Sequence, residues 1–318
     1  MREFIIEKKE EGQSAIKYLA RLLPKAPMGL LRKSMRKKNI TLNGKKIEGK
    51  EKLKTGDRLA VWFSEETMNT FMGEEETTAP KHCPDFPRWI IYEDENLLVL
   101  HKPAGILSQG DASGDASLND GLLSYLGDSS ATVKPSICNR LDRNTSGLVL
   151  AGKTISSLQT LNELIKDRSL HKIYNALVLG EVEAEGTLKG FLVKDHETNQ
   201  GRYSEKKVQG ALPIETRYKR KGIFHKDGVT YSLVEVLLVT GRSHQIRIHF
   251  SSIGHPLLGD RKYGNKESIE ASRKLSIHRQ LLHAGKLQFP RLTGVLSYLS
   301  GKEFRAPLPK DIKKLIGN

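Results

Sequence analysis

The chain has 318 residues, of which 37% are hydrophobic and 28% are charged, a composition typical of a globular protein with room for two domains. No apolar run approaches the roughly 20 residues of a spanning helix, so we expect no membrane segment. The charged start MREFIIEKKEEG has no signal-peptide core. Cys83 and Cys138 form no metal-binding pattern, which favours a cytoplasmic protein with reduced thiols, although a single disulfide would also fit.

The charge balance indicates a polyanionic partner. The 52 Lys and Arg residues against 37 Asp and Glu give a net charge of +15. Residues 1–64 hold 17 basic and 7 acidic side chains, residues 65–95 hold 2 and 9, and residues 96–318 hold 33 and 21. Two basic blocks therefore flank a short acidic one.

The first basic block predicts a small α/β unit. Residues 13–23 place apolar side chains on one helical stripe that Pro24 ends, and residues 29–39 predict a second helix. Asn43-Gly44 predicts a hairpin turn, and alternation at 59–63 predicts a strand. The second helix is expected to turn five basic side chains toward solvent, either as a solvated face or as an RNA-binding surface: Arg32, Lys33, Arg36, Lys37 and Lys38.

The acidic segment 65–87 predicts a flexible linker, because it shows neither helical nor strand periodicity and has three prolines near its end. We therefore expect domains at 1–64 and 88–318. The second domain predicts two short strands within 88–105 joined at the acidic turn 93–96, and a helix at 117–126. A buried strand at 147–153, a helix at 153–168 and strands at 171–182, 229–241 and 243–250 follow. Without regular βαβ alternation, this order favours an α+β domain with a largely antiparallel sheet.

One segment matches the phosphate-binding P-loop pattern GxxxxGK[ST], namely GLVLAGKT at 147–154. Its four intervening residues are apolar and predict a buried strand rather than an exposed loop. We therefore disfavour a nucleotide hydrolase. The histidines at 244, 249 and 255 lack the spacing of a helical metal site, and we interpret each as structural.

Three polar segments stand out for chemistry. Asp142 lies between two arginines in NRLDRNTSG, which favours its ionised form. Tyr174 opens a strand, and Arg247 lies between isoleucines in SHQIRIHF, so a buried Arg247 needs a carboxylate partner. Taken alone, these residues also fit an ion pair that only orders a core.

The motifs RLDRNTSGLVLAGKT, HKIYNALV, TGRSHQIRIHF, GHPLLGDRKYG and LHAGKLQF occur in the order typical of the RluA-type pseudouridine synthases, which residues 88–290 resemble. LLVLHKPAG resembles the first motif of that family. Residues 13–63 resemble the S4 domain, a small RNA-binding module whose second helix presents basic residues to RNA. This domain pair is similar to synthases that modify large-subunit ribosomal RNA.

The resemblance implies isomerisation of uridine to pseudouridine without metal or organic cofactor. Asp142 matches the aspartate that attacks the nucleoside while the N-glycosidic bond breaks, after which uracil turns and rejoins ribose through C5. Tyr174 matches the tyrosine that packs on the base and is proposed to help remove the C5 proton, and Arg247 matches the partner of the aspartate. Arg140 matches an arginine that fills the gap left by the extruded base.

The motifs also depart from the common form. Asn139 and Asn144 replace a frequent histidine and aspartate, and Ser108-Gln109 follows the first motif where a histidine often occurs. None of these changes removes the three matched residues. The leading hypothesis is a monomeric, cytoplasmic synthase acting on 23S ribosomal RNA or its assembly intermediates. The alternatives are a synthase acting on transfer RNA and a non-catalytic RNA-binding or ribosome-assembly protein.

Overall fold

The computed structural model describes residues 1–72, 83–127, 132–194 and 201–317. The chain divides into two compact units. One contains Met1–Leu98, Gln109–Cys138 and Leu150–Glu163, and the other contains Val99–Ser108, Asn139–Val149 and Leu164–Asn318. These units do not coincide with the domains predicted at 1–64 and 88–318. Within the described ranges, no helix combines the length and the apolar composition needed to cross a membrane.

The N-terminal block is a four-stranded antiparallel sheet packed against helices. Its elements are β1 (Arg2–Ile5), α1 (Ala15–Leu22), α2 (Met28–Arg36), β2 (Ile40–Leu42), β3 (Lys45–Lys46), β4 (Arg58–Val61) and α3 (Glu65–Met72), and the strand order is β1-β4-β2-β3. The predicted helices and the Asn43-Gly44 hairpin are present. Leu19, Leu31 and Leu59 are fully buried in the core, since apolar positions of both helices and of β4 face one another.

Helix α3 corrects the linker prediction for residues 65–72. Met68 is 1% exposed, and Phe71 and Met72 pack against the same N-terminal core. The spacing Met68, Phe71, Met72 is helical, but one turn of it within an acidic stretch is a weak signal. Residues 73–82 of the predicted linker lie outside the described residues.

The N-terminal block also packs against later segments of the same compact unit. Glu10 is 4% exposed, and its carboxylate accepts a hydrogen bond from the Thr132 hydroxyl. Arg21 donates to the Thr132 carbonyl at 3.0 Å, and the Ser156 hydroxyl donates to the Glu11 carbonyl at 3.0 Å. The Glu10–Thr132 pair is buried and so holds one arrangement, because separating it leaves a donor or acceptor unpaired.

The rest of the chain builds the large mixed sheet. Its elements, in chain order, are β5 (Ile90–Glu93), β6 (Leu97–Lys102), α4 (Leu118–Leu126), β7 (Ser136–Ile137), β8 (Ser146–Gly152), α5 (Ile155–Lys166), β9 (His171–Leu179), β10 (Glu185–Lys194), β11 (Gly201–Ser204), β12 (Leu212–Lys226), β13 (Val229–Leu238), α6 (Gln245–Ser252), α7 (Lys266–Lys274), β14 (Leu282–Gln288), β15 (Glu303–Arg305) and α8 (Lys310–Ile316). Short 3-10 helices occupy Lys8–Glu10, Phe86–Trp89 and Gly294–Leu299.

The strand order of this sheet is β11-β10-β12-β13-β9-β14-β8-β6-β5, with β15 beside β14 and β7 beside β8. The strands from β11 to β14 pair antiparallel, in registers such as Tyr174 opposite Val236, whereas β14 and β8 pair in parallel. The predicted α+β class with a largely antiparallel sheet is confirmed.

Helix α6 corrects a second prediction, because SHQIRIHF was expected to be a strand. All residues from Gln245 to Phe250 are buried in the helix. A helix enclosed on every side has no polar face, so its sequence loses the 3.6-residue period. The alternating isoleucines then imitate the two-residue period of a strand.

Strand β8 contains the P-loop-like segment and is buried at every position. Its amides therefore lie in a sheet, as expected from the apolar run. Gly147 has φ +121°, and a Cβ on it would lie 2.3 Å from the Ala284 carbonyl oxygen of β14. This glycine serves the close approach of two backbones rather than phosphate binding.

We predict that Gly147→Ala lowers the free energy of unfolding by about 3 kcal/mol or more, because strained φ and a backbone clash add. Urea denaturation measures the change. Gly29→Ala is the control, since Gly29 lies in α2 with no atom near its missing Cβ. The control should stabilise by about 0.5–1 kcal/mol. A Gly147→Ala protein of normal stability contradicts this interpretation of the close approach.

Candidate active site

The loop between β7 and β8 presents Asp142 at a partly exposed position. Its side chain is 26% exposed, and its carbonyl accepts the Thr145 N–H at 3.0 Å in a tight turn. The neighbouring Leu141 is held on both sides, because the Ser108 hydroxyl donates to its carbonyl at 2.7 Å and accepts its N–H at 3.0 Å. The carboxylate is thus placed by a fixed backbone and remains open to solvent.

Helix α6 brings a buried cation to this carboxylate. His244 adopts a left-handed conformation, φ 58°, immediately before the helix, and Arg247 follows in the first turn with its side chain 8% exposed. Arg247 Nη1 donates to Asp142 Oδ2 at 2.9 Å. The predicted need of a buried Arg247 for a carboxylate partner is therefore met by Asp142.

A second carboxylate, absent from the predicted site, completes the pairing of this arginine. Asp260 is fully buried and accepts Arg247 Nε at 2.7 Å and Nη2 at 2.8 Å. Burial opposes the charged guanidinium, but the ion pairs with Asp260 and Asp142 outweigh it and raise the pKa of Arg247. Arg247 consequently stays charged and offers one N–H to Asp142 in a fixed direction.

Tyr174 lies on β9 and is 6% exposed. Burial raises the pKa of its phenol above the usual value, and the negative charge of Asp142 adds to the rise. The side chain therefore lies within electrostatic range of the predicted nucleophile. At neutral pH it is a protonated phenol beside a carboxylate.

Lys102 is a site residue that the sequence interpretation quoted within a motif but did not assign. It is fully buried, and its ammonium donates to the carbonyls of Pro103, Ile106 and Arg143 at 3.0, 2.7 and 3.0 Å. Burial lowers the pKa of Lys102 to about 7, although Asp142 acts in the opposite direction. The three bonds join the end of β6 to the residue after Asp142.

His244 was interpreted as structural, but it faces the site. Its Nε2 lies 3.8 Å from Asp142 Oδ1, and its Nδ1 lies 2.7 Å from the Tyr263 hydroxyl. Burial lowers the pKa of His244, so the ring is neutral at neutral pH. The Tyr263 ring in turn lies 5.0 Å from the Arg247 guanidinium carbon. Tyr263 and Asp260 lie in the loop that follows α6, with Asp260 13 residues after Arg247, and this loop folds back onto the helix.

His249 and His255 fit their structural interpretation. His249 Nδ1 lies 2.8 Å from the Thr216 hydroxyl oxygen, and His255 Nδ1 lies 2.8 Å from the Leu179 carbonyl oxygen. In the part of the chain that the structure describes, no three histidine, cysteine, aspartate or glutamate side chains gather as a metal site would require.

The predicted RNA-contacting residues are all exposed. Arg140 lies two residues before Asp142 in the same loop. The basic side chains of α2 and of the turn after it form an exposed set, the basic cluster, consisting of Arg32, Lys33, Arg36, Lys37 and Lys38. Exposure is what phosphate contacts require, and it leaves the role of each residue to experiment.

The geometry is suited to nucleophilic chemistry at Asp142. Asp142 offers a carboxylate to solvent, Arg247 orients it, and Tyr174 provides an aromatic ring and a hydroxyl beside it. A charged nucleophile that is held in one orientation by a buried partner needs little reorganisation to react.

Comparison with known proteins defines the class. A family model described as RNA pseudouridylate synthase matches residues 96–252. The ribosomal large subunit pseudouridine synthase C of Rickettsia prowazekii is 34% identical over 270 residues, covering 82% of this chain and 86% of that protein. The synthase of the same name from Pasteurella multocida is 31% identical over 324 residues, covering 98% and 92%. The chain therefore belongs to the RNA pseudouridine synthase family, as an RluA-type member.

Solved structures agree on the fold. Human RNA pseudouridylate synthase domain containing 4 superimposes with a TM-score of 0.57 at 22% identity, covering 73% of this chain and 94% of that one. Human RNA pseudouridylate synthase domain containing 1 gives a TM-score of 0.55 at 24% identity, covering 69% and 82%. As a member of the family shown by the sequence relatives, the protein is an isomerase that converts uridine in RNA to pseudouridine.

We predict that Asp260→Asn lowers the free energy of unfolding by about 3–5 kcal/mol, because it removes the carboxylate that holds two of the three bonding nitrogens of buried Arg247. Urea denaturation measures this, and activity should fall in parallel.

Glu303→Gln is the matched control. Glu303 pairs with Lys286 and Arg305 at a partly exposed position, so its loss should cost about 1 kcal/mol or less. If Asp260→Asn is as stable and active as the parent protein, Asp260 does not position Arg247.

Proposed function

We propose that the protein isomerises uridine in large-subunit ribosomal RNA, with Asp142 as the nucleophile. The observation that carries this proposal is the single hydrogen bond between Arg247 and partly exposed Asp142, at 2.9 Å. The named relatives act on the ribosomal large subunit, which supports the choice of substrate. Mapping of pseudouridines in ribosomal and transfer RNA from cells with and without the gene tests that choice, and a loss of pseudouridine confined to transfer RNA contradicts it.

In the proposed reaction, the Asp142 carboxylate attacks the target nucleoside as the bond between ribose C1′ and uracil N1 breaks. The freed uracil turns, C5 bonds to C1′, the C5 proton leaves and N1 gains a proton, so that substrate and product are isomers. Asp142 is released unchanged. Before the attack, the N–H of Arg247 holds the carboxylate in one orientation.

Tyr174 is proposed to pack against the uracil ring. Because burial raises the pKa of its phenol, the hydroxyl carries its own proton at neutral pH. It can therefore take the C5 proton only by passing its own proton to another acceptor. Arg140, exposed in the same loop, is proposed to fill the space left when the base is extruded, which costs a few kcal/mol.

We predict that Asp142→Asn abolishes pseudouridine formation and leaves the fold and much of the RNA affinity intact, since an amide is nearly isosteric but is not a nucleophilic carboxylate. Tritium release from C5-labelled uridine in RNA measures activity, and filter binding measures affinity. Asn144→Ala, two residues along the same exposed turn, is the control that should retain activity. Near-normal turnover by Asp142→Asn would refute the mechanism.

The N-terminal block is proposed to be an S4-like domain that adds RNA affinity without chemistry. Its net charge of +10 over residues 1–64 and the exposed basic cluster support this role. We further propose that the protein works as a monomer in the cytoplasm, on 23S ribosomal RNA or an assembly intermediate, and the free thiols of Cys83 and Cys138 are consistent with that compartment.

We predict that replacing Arg36, Lys37 and Lys38 together by glutamine weakens RNA binding, most visibly at low salt. Removing one ion pair with a phosphate should flatten the slope of log K against log salt by about 0.7 for single-stranded RNA. Saturating RNA should restore much of the rate, because the proposed catalytic residues lie outside this block. A variant with unaltered affinity and slope shows that the basic cluster is only a solvated face.

A further inference from the structure

Trp62 is an exposed aromatic side chain next to the basic cluster. It follows Val61 at the end of β4, and its side chain is 56% exposed, whereas Leu59 and Val61 on the opposite face are fully buried. Tryptophan is large and mostly apolar. A side chain that is more than half exposed therefore lacks much of the stabilisation that burial of its apolar surface would give. Its exposure beside charged residues suits a ligand that has both a flat apolar surface and negatively charged groups.

The backbone places Trp62 beside the end of the basic cluster. Val61 pairs with Ile40, and the Trp62 N–H donates to the Asn39 carbonyl at 2.8 Å. Asn39 directly follows Lys37 and Lys38, and Lys38 turns the chain out of α2 with φ 62°. Glu3 lies on the same ladder opposite Ala60, but the five exposed cations of the basic cluster outnumber it.

An exposed ring whose backbone adjoins the end of the basic cluster matches the chemistry of an unpaired nucleotide. Single-stranded RNA presents phosphates to basic side chains and the flat faces of its bases to aromatic rings. Duplex RNA keeps its bases stacked inside the helix and offers a ring nothing to stack on except its ends. An acidic protein surface would use the cations but would leave the ring without a flat partner.

We propose that Trp62 stacks on an unpaired base of the RNA whose phosphates contact the basic cluster. This inference rests on the proposed RNA-binding role of the N-terminal block and extends it by naming the kind of nucleotide bound. The ring supplies affinity for a strand that is unpaired at this point, and the cations supply the salt-dependent attraction.

The protein has two tryptophans, so Trp89→Phe leaves Trp62 as the sole indole reporter in the full chain. The probe is a labelled oligouridine of about 12 nucleotides, compared with a blunt RNA duplex of the same length. We expect the oligouridine to quench Trp62 emission as it binds, and the duplex to bind with much weaker quenching. Saturable binding of oligouridine, seen by anisotropy of the label, without change in Trp62 emission overturns the proposal.

Trp62→Ala should weaken oligouridine binding by about tenfold to a hundredfold and leave the salt slope unchanged, because a stacked base releases no counterions. Trp62→Phe should keep part of the affinity. Ile5→Ala is the matched control for loss of exposed apolar area, since Ile5 is 63% exposed on the same sheet but pairs with Arg58, at the other end of β4. It should bind like the parent protein.

Two results distinguish this inference from the proposed function. One result is that the glutamine variant of Arg36, Lys37 and Lys38 shows a flatter slope of log K against log salt while Trp62→Ala binds normally. In that case the stacking proposal fails and the RNA-binding role stands. If Trp62→Ala binds RNA normally but alters the sedimentation coefficient, Trp62 belongs to a protein contact, which also overturns stacking. If the parent protein binds neither probe, both proposals fall.

Discussion

One buried guanidinium organises the catalytic region. Arg247 is 8% exposed, and a charge at such a position is tolerated only when its N–H groups are paired. The Asp260 carboxylate accepts hydrogen bonds from two nitrogens of Arg247, and the Asp142 carboxylate accepts one from the third. The fully buried carboxylate of Asp260 therefore compensates the charge, and the partly exposed carboxylate of Asp142 is held in one orientation by the same guanidinium. Helix α6, the Asp260 loop and the Asp142 loop are all bound to this one side chain.

The loop that carries Asp142 is held by polar contacts to its backbone. Ser108 brackets Leu141, and Lys102 donates to the carbonyl of Arg143, so both neighbours of the aspartate are anchored. Such bonds restrict the backbone without covering the carboxylate. The Ser108 hydroxyl both donates and accepts, so it holds the two sides of Leu141 in little space.

The N-terminal block is strongly basic, and hydrogen bonds hold it against a later segment of its own compact unit. Residues 1–64 hold 17 basic and 7 acidic side chains, and Glu10 and Arg21 tie the block to Thr132 within the same compact unit. A charged surface acts over roughly 8–10 Å at physiological salt, so it attracts RNA without selecting a sequence. Selection would then fall to contacts of short range, such as those proposed for Trp62 and Arg140.

The sequence alone determined the features that depend on local pattern. The buried strand β8 follows from its apolar run, the hairpin at Asn43-Gly44 from turn chemistry, and the need of Arg247 for a carboxylate partner from the cost of an unpaired buried charge. Only the tertiary structure decided that SHQIRIHF is a helix and that Asp260 and His244 face the site. A helix buried on all sides loses its periodic signature, and contacts between residues distant in sequence arise only when the chain packs.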